Sequence, residues 1–365
     1  MTMTTTRTAV EFRPLIVPAS LDAPDAGDFL ELAAVRNQIY REVYGHDDHA
    51  ATPAELLPNF RPDPYELRFY WAVVVDGRIA GRVNVYVPLE DGSRSLYWQV
   101  ELLREVHGRG IGSQAYEQII ESAAREHGRT VLQSWARHGE GTGERLVPPT
   151  GFGSIPAGDP AARYFVRHGY TLEQIERASV LDLTEPFDRI HALLDEARAA
   201  ADGYRVVSWF APTPPEFVDG FAWVKSRMST DAPSAGMEYD EQAWDAARVA
   251  TNDERSLAGG RTVRVVAAQH LASGRLVAFS ELAIGPDHTR ATHQEDTLVL
   301  KEHRGHRLGM LVKCENLVAW RDFAPHSPRV ITYNAEENRP MLDINEAIGF
   351  VPESYEGAWK KVLAQ

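Results

Sequence analysis

The sequence predicts an α+β protein made of two similar domains, each with a mixed, mostly antiparallel sheet flanked by helices. The chain has 365 residues, more than one hydrophobic core usually spans. A strand, a glycine-rich turn and a helix occur in that order twice, and each copy is followed by a short helix that ends in Gly-aromatic. We place the domains at 1–185 and 204–365, joined by a connecting helix at 186–203.

Net charge limits the classes of partner. The formal net charge is −14, whereas proteins that bind nucleic acids or anionic membranes carry basic patches. We therefore expect no nucleic-acid partner and no membrane partner. The same charge favours a cationic amine as substrate, although many cytosolic proteins are simply acidic.

Cysteine content and hydropathy point to an intracellular setting. The one cysteine, Cys314, excludes an internal disulfide framework and a Cys-based zinc site, and we expect it to pack in the core and the protein to hold no metal. Residues 1–7 contain no apolar leader, and no run of 18 apolar residues occurs. These features predict a cytoplasmic protein.

Hydrophobic spacing and turn residues predict the elements of the first half. Phe29, Leu32 and Val35 lie three residues apart, as on one face of a helix. Asp76-Gly77 between two apolar runs is typical of a hairpin turn. Residues 1–12 are expected to be an unstructured lead. The predicted helices are 28–44 and 113–125, and the predicted strands are 69–75, 79–87, 96–103, 130–135 and 179–183.

The second half repeats this order of elements. The run 213–216, Thr-Pro-Pro-Glu, is typical of a helix start, and Ser273-Gly274 marks a second hairpin turn. Residues 228–233 are expected to form a loop. The predicted long helices are 240–258 and 310–321, and the predicted strands are 204–210, 262–269, 276–284, 296–300, 330–334 and 359–363.

The repeated strand–turn–helix stretch covers residues 100–112 and 297–309. The first N–H groups of a helix have no partner within it, and the helix dipole adds positive charge there. Gly in the turn lets the backbone approach a ligand closely. The stretch therefore predicts two anion sites suited to phosphate. The absence of a Walker Lys-Ser/Thr and of Gly-x-Gly-x-x-Gly argues against a nucleoside triphosphate or a dinucleotide.

The two copies differ in length between the loop and the Gly-aromatic pair. This distance is 62 residues in the first copy (107 to 169) and 45 in the second (304 to 349). The 17 extra residues fall within 137–158, a run rich in Gly and Pro. They are either a lid over a substrate or a tolerated insertion.

The motif pair resembles the GNAT superfamily of acyl-CoA-dependent N-acetyltransferases. Its signature is a Gln/Arg-x-x-Gly-x-Gly/Ala loop followed by a helix that ends in Gly-Phe/Tyr, here 159–170 and 338–350. Two copies in one chain are similar to the tandem arrangement of mycothiol synthases. The resemblance implies two GNAT-like domains, and acetyl-CoA, or another short acyl-CoA, as cofactor.

The resemblance also implies which residues contact the cofactor. The strand before each loop would pair with the pantetheine arm as an added strand, and loop N–H groups would hold the pyrophosphate. Asn338 would contact the cofactor from the following helix. The implied cofactor contacts in the second copy are Thr297, Leu298, Val299, Arg304, Gly305, His306, Arg307, Leu308, Gly309, Met310 and Asn338, and in the first Val100, Glu101, Leu102, His107, Gly108, Arg109, Gly110, Ile111, Gly112 and Ser113.

Both loops depart from the family pattern. His107 stands where Gln or Arg is usual, and Arg307 stands where the first Gly is usual. The long side chain of Arg307 would either crowd the phosphates or supply them with a cation, and these arginines would otherwise form a solvated face.

Acyl transfer to an amine needs a base to take the amine proton. In many GNAT enzymes this base lies on the strand before the loop. In the second copy His293 and Glu295 share a face of that strand, and Glu281 lies on its neighbour. Residues 95–99 of the first copy contain no group that titrates near neutral pH. We therefore place catalysis in the second domain; each of these three residues would otherwise be an ordinary surface group.

The family's usual thiolate acid is a Tyr four residues before the Gly of Gly-aromatic. That position is Phe165 in the first copy and Asn345 in the second. Phe cannot donate a proton, and Asn only hydrogen-bonds. The thiolate would then be protonated from water or stabilised by Asn345.

These observations favour an N-acetyltransferase acting on a primary amine of a small molecule, with the C-terminal domain catalytic. The alternatives are turnover in the N-terminal domain, or an acyl-CoA-binding or sensing protein without catalysis. We expect a monomer or homodimer. The amine and the acyl chain length do not follow from the sequence, and a lysine in a peptide stays open as acceptor.

Overall fold

The computed structural model describes residues 9–231 and 233–364. They form two compact units: residues 9–135 with 360–364, and residues 136–359 without Ala232. These units follow spatial proximity, whereas the limits 1–185, 186–203 and 204–365 follow the repeat of motifs, so the domain limits stay a prediction. Within the described ranges, no helix is long and apolar enough to cross a membrane.

The first unit contains one sheet in the strand order β1–β2–β3–β4–β5. Its hairpin turns at Asp76-Gly77, where both residues have positive φ, as the sequence predicted. Helix α1 buries Phe29 and Leu32 against this sheet. The elements are β1 (Val10–Pro14), α1 (Gly27–Tyr44), α2 (Pro53–Phe60), β2 (Glu66–Val75), β3 (Arg78–Pro88), β4 (Ser95–Leu102), α3 (Ile111–Ala115), α4 (Glu121–Glu126) and β5 (Val131–His138).

The second unit orders its strands β14–β8–β13–β12–β11–β10–β9. Helix α10 packs on one face and buries Trp320, while α7 packs on the other face and buries Phe221. The elements are β6 (Arg145–Leu146), β7 (Ile155–Pro156), α5 (Pro160–Arg167), β8 (Thr171–Asp182), α6 (Asp188–Ala200), β9 (Tyr204–Phe210), α7 (Pro215–Ser226), α8 (Met228–Asp231), α9 (Ala246–Ala258), β10 (Thr262–His270), β11 (Leu276–Ile284), β12 (Thr292–Val299), α10 (Leu308–Phe323), β13 (Arg329–Ala335), α11 (Arg339–Ile348) and β14 (Val351–Val362).

The mixed, mostly antiparallel sheets with flanking helices confirm the predicted fold class. Within the described strands, parallel pairing joins β4 to β5 and β12 to β13, whereas the other registered pairs are antiparallel. Each parallel pair follows from a strand–helix–strand connection, which returns the chain in the same direction. The repeated motif therefore sits at the same point of both sheets.

Three local predictions were wrong. The expected lead 1–12 contains β1, which pairs with β2 from Val10 onward; residues 1–8 lie outside the described residues. The predicted helix 240–258 begins only at Ala246, because the Asp245 carboxylate accepts a hydrogen bond from the Arg248 N–H and caps the helix. The predicted loop 228–233 contains the single helical turn α8.

The helix after the first loop is not a uniform α-helix. Residues Tyr116–Ile120 form a π turn between α3 and α4, whereas α10 is α-helical throughout. The Lys361 amine donates a hydrogen bond to the Tyr116 hydroxyl at 2.8 Å, at the start of this turn. The two repeated helices thus differ inside, although their N-termini correspond.

Candidate active site

The second phosphate loop leads from β12 into α10. Gly305 (φ 89°) and Arg307 (φ 53°) turn the backbone through left-handed conformations before Leu308 begins the helix. No side chain in the described chain caps this helix end. The N–H groups of Leu308, Gly309 and Met310 therefore point out of the first turn, as an anion site requires.

The first loop has the same backbone course. Gly108 (φ 74°) and Gly110 (φ 77°) supply the left-handed residues, and Gly110 precedes the first residue of α3. A ring nitrogen of His107 contacts the Leu102 carbonyl at 3.0 Å, and the Nε of Arg304 donates to the Val299 carbonyl at 3.2 Å. His107 and Arg304 thus fasten the end of the strand in their own copies.

Arg307 holds the left-handed position that glycine holds in the first copy. This conformation costs a non-glycine residue about 1–2 kcal/mol. Its guanidinium pairs with Glu196 of α6 at 2.9 Å, so the side chain is directed to a neighbouring helix. Its effect on a bound phosphate, whether crowding or neutralising, stays a prediction, as does the solvated face.

Beside each loop, two parallel strands separate. Strand β12 pairs with β13 only at Thr292 and His293, and β4 pairs with β5 only from Ser95 to Tyr97. Beyond those residues the β12 and β4 edges have no ladder partner on that side among the described strands. An extended ligand can hydrogen-bond to such an edge as an added strand.

A cofactor of this shape fits the second copy. A Cβ on Gly309 would lie 2.9 Å from Ile344 Cδ1 and 3.5 Å from Val299 Cγ2, so glycine lets the loop pack closely on α11 without displacing the Ile344 side chain. Open helix N–H groups suit a pyrophosphate, and the separated strand edge suits the amide-bearing arm of an acyl-CoA.

The outer strands differ between the copies. Strands β3 and β4 pair without interruption from Gly81–Leu102 to Tyr86–Tyr97. Strand β12 instead bulges, because Ser280 faces Thr297 and Leu282 faces Gln294, which leaves two residues of β12 opposite Glu281. These two residues are Glu295 and Asp296.

A buried charge cluster lies beside this bulge. The Lys225 amine on α7 donates to Glu281 at 2.9 Å and to Asp296 at 2.7 Å. The side chains of Lys225 and Glu281 are 8% and 5% exposed, whereas that of Asp296 is 42% exposed. The cluster therefore has an inner carboxylate and an outer carboxylate that reaches solvent.

Burial and charge set the proton affinities of the cluster. Burial raises the pKa of Glu281 to about 7, with Lys225 lowering it and Asp296 raising it further. Burial alone would lower the pKa of Lys225, but the carboxylates of Asp296 and Glu281 outweigh it and raise that pKa overall. Lys225 is thus a fixed cation, and Glu281 can exchange a proton near neutral pH.

The first copy has amides at the corresponding positions. A constant offset of 197 residues relates His107 to Arg304, Gln99 to Asp296 and Asn84 to Glu281. Asn84 and Gln99 face each other in the ladder and bond directly at 3.3 Å. Amides do not titrate, so this rung cannot exchange protons.

Glu101, expected to line a cofactor strand, has a structural contact. Its carboxylate accepts a hydrogen bond from the buried guanidinium of Arg82, and Tyr40 lies on the same cluster. Burial alone would raise the pKa of Glu101, but the Arg82 charge lowers it overall. This pair holds β3 and β4 together.

The other predicted catalytic residues are spread around the strand. Glu295 is exposed and forms an ion pair with Arg261, and His293 is half-buried at the last paired rung with β13. Asn345 is buried, and its amide donates to Asn334 Oδ1 at 2.7 Å. Asn338 immediately precedes α11.

Phe165 and Cys314 make packing contacts. Phe165 stacks on Trp359 at 4.9 Å between ring centres. Burial raises the pKa of Cys314 to about 12, and its thiol lies 3.5 Å from the Met310 sulfur, so this cysteine packs in the core as predicted. The insertion 137–158 forms its own small hairpin, in which Arg145 pairs with Pro156.

Two residues of the charge cluster were missed from the sequence. Asp296 begins the predicted strand 296–300, but simple alternation cannot anticipate the bulge that turns it toward Glu281. Lys225 lies four residues after Phe221 on the apolar side of α7. A lysine on the apolar face of a helix indicates a buried acidic partner, and this is the one feature of the sequence that pointed to the cluster.

Comparison with known proteins shows which family model and which solved structures this chain resembles. Residues 31–140 match the acetyltransferase (GNAT) family. A tandem GNAT protein from the clavulanic acid biosynthesis pathway, solved without acetyl-CoA, has a TM-score of 0.74 at 23% identity over 98% of this chain and 99% of its own. No curated protein matches the sequence.

Two further structures share the fold. A GCN5-related N-acetyltransferase from Sphaerobacter thermophilus has a TM-score of 0.62 at 15% identity, covering 98% of this chain and 96% of its own. A putative acetyltransferase from Pyrococcus horikoshii has a TM-score of 0.52 at 10% identity, covering 98% and 90%. The resemblance inferred from the motifs is confirmed, and the chain has the tandem GNAT fold.

Proposed function

We propose that this protein, which has the tandem GNAT fold, is an N-acetyltransferase that moves an acetyl group from acetyl-CoA to a primary amine of a small molecule. We place turnover in the C-terminal half. The proposal includes a cytoplasmic location and a monomer or homodimer, as expected from the sequence.

One observation carries the choice of half. Beside the separated strands, the second copy has two carboxylates, Glu281 and Asp296, where the first has the amides Asn84 and Gln99. An attacking amine must lose a proton, and only the carboxylates can accept it. The pKa of Glu281, raised by burial to about 7, suits that task at neutral pH.

The chain's own groups have separate roles in this proposal. Bound acetyl-CoA supplies the acyl thioester. N–H groups of Leu308 to Met310 hold its pyrophosphate, and the free edge of β12 from Thr297 to Val299 orients its arm. Glu281 takes the amine proton, and the exposed Asp296 carboxylate passes it toward solvent.

The bulge supplies a donor for the developing oxyanion. The bulge leaves one extra residue of β12 without a ladder partner on β11. We propose that a backbone N–H at Glu295 or Asp296 faces the developing oxyanion. The Asn345 amide is held by Asn334, and we propose that the leaving thiolate takes its proton from water. Glu295 and His293 stay second candidates for the base.

An acyl-CoA-binding protein without turnover is the second candidate. The observation that favours it is the lack of a tyrosine at both thiolate positions, Phe165 and Asn345. Such a protein would bind acetyl-CoA but would release no free thiol with any amine.

Calorimetric titration with acetyl-CoA tests the site, and thiol release across a panel of primary amines tests the chemistry. Gly309→Asp adds a negative charge next to the open N–H groups at the start of α10, and Gly112→Asp is the corresponding change in the first copy. We expect Gly309→Asp to abolish productive binding and Gly112→Asp to leave thiol release unchanged. The reverse result would move turnover to the N-terminal half, and binding without thiol release would favour the second candidate.

A further inference from the structure

We propose that Lys225 is a positioning residue for this acyl transfer: it holds Glu281 and Asp296 together beside the β12 bulge and keeps Glu281 ready to accept a proton. The inference rests on the proposed function for its catalytic meaning. The effect of the Lys225 charge on the proton affinity of Glu281 can be measured in the protein without cofactor or substrate.

The geometry around Lys225 is that of a bridge. Its amine lies 2.9 Å from the inner carboxylate and 2.7 Å from the outer one, which come from two different strands. The bulge alone does not bring Asp296 to Glu281, because extended chains can turn at a bulge in several ways. A cation bonded to both carboxylates favours the one arrangement of the bulge in which Asp296 lies beside Glu281.

Aromatic rings enclose the same amine. The ring centres of Trp244, Phe279 and Phe221 lie 5.1, 5.6 and 5.8 Å from Lys225 Nζ. Ring faces attract cations, and the enclosure excludes the water that would otherwise screen the charge. The amine is therefore held in one place and acts strongly on its two partners.

The charged groups that act on Glu281 come from two elements. Lys225 on α7 lowers its proton affinity, while Asp296 and Glu295 on β12 raise it. Across the ladder on β10 its neighbour is the apolar Val265, and Arg248 of α9 stacks on Trp244 at 5.2 Å. Without Lys225, two neighbouring carboxylates would face each other in an apolar site, and one would keep its proton at neutral pH.

The corresponding pair in the first copy needs no cation, because it consists of two neutral amides. There, Asn84 and Gln99 bond directly at 3.3 Å and carry no charge to offset. A buried lysine is unfavourable unless it is paired with carboxylates, so Lys225 and the acid pair depend on each other.

The test is the pH profile of kcat/KM in Lys225→Met, with Lys225→Arg as the matched control that keeps the charge. In the unaltered protein we expect an acidic limb near pH 7. Lys225→Met should move that limb upward by at least about one unit, since loss of the cation favours protonated Glu281. Activity at pH 7 should fall about fivefold or more and recover at higher pH, while Lys225→Arg should keep the limb in place.

A uniform loss of activity at all pH values in Lys225→Met would overturn the proposal, because it would show only a structural role. If Lys225→Met does not fold, Lys225→Gln keeps a polar side chain without the charge and carries the same expectation. Asp296→Asn should move the limb in the opposite direction, to lower pH.

A second measurement separates this inference from the proposed function. Carbon NMR of the Glu281 carboxyl, assigned with Glu281→Gln, reports its titration midpoint without cofactor or amine. We expect the midpoint to rise in Lys225→Met; an unchanged midpoint sinks the inference even if the protein is an acetyltransferase. A raised midpoint with no thiol release from any amine would reject the proposed function and leave the charge bridge standing.

Discussion

The β3–β4 ladder of the first unit and the β11–β12 ladder of the second begin alike. Gly81 faces Leu102 in the first, and Ala278 faces Val299 in the second, at the same distance from the loops. Three rungs later they diverge. The first ladder continues through the amide pair Asn84–Gln99, whereas the second bulges at Glu281.

The difference shows that the loop can stay the same while the side chains on the neighbouring strands change. Both copies keep the left-handed turn before a helix, so both keep the geometry of an anion site. In the first ladder the buried ion pair is Arg82–Glu101, whereas in the second the carboxylates are paired with Lys225. A motif match alone therefore does not identify which half turns over.

The largest effect is expected from Glu281→Gln, which makes the second rung resemble the first. Because the amide cannot accept a proton, kcat/KM should fall about 10²–10⁴-fold. Thiol release at saturating acetyl-CoA measures it. Gln99→Ala on the first rung is the control and should change kcat/KM by less than about twofold; equal losses would refute the contrast between the ladders.

The buried ion pair of the first ladder should matter for stability and not for turnover. Arg82→Met leaves Glu101 buried without its cation and should lower the free energy of unfolding by about 3–5 kcal/mol. Arg78→Met, which breaks an exposed pair with Glu105, should cost less than about 1 kcal/mol. Urea unfolding compares them, and a similar small cost for both would show that the buried pair does not hold the ladder.

Glu295→Gln sharpens the assignment of the base. Glu295 is exposed and paired with Arg261, so we expect only a few-fold loss in kcat/KM. Arg261→Met should have the same small effect if the pair merely orders the strand. A loss as large as that in Glu281→Gln would move the base to Glu295.

The smallest effect concerns the left-handed residue before each helix. Gly110→Ala should lower the free energy of unfolding by about 1 kcal/mol. Arg307→Gly should raise it by less than about 1 kcal/mol, because released strain is partly offset by the flexibility of unfolded glycine. Glu196→Gln controls for the lost ion pair in urea unfolding; a net loss in Arg307→Gly beyond that control would exclude strain at Arg307.

Much of the fold followed from periodicity and turn residues, because α1, the hairpins and both loops carry strong local signals. The charge cluster did not. Lys225 lies 56 residues from Glu281 and 71 from Asp296, and only the packing of α7 on the sheet brings them together. Strand β1 was missed because it is short: Val10 and Phe12 give only one step of apolar alternation, and pairing with β2 stabilises the strand.

The π turn after the first loop has a practical consequence for grafting one half onto the other. A π turn takes one residue more than an α turn, so beyond Ile120 a residue and its counterpart 197 positions later no longer point in the same direction. The discrepancy amounts to roughly 100° around the helix axis. A chimera that exchanges the loop and its helix keeps its packing only if the splice lies before Tyr116 or if one residue is deleted within the turn.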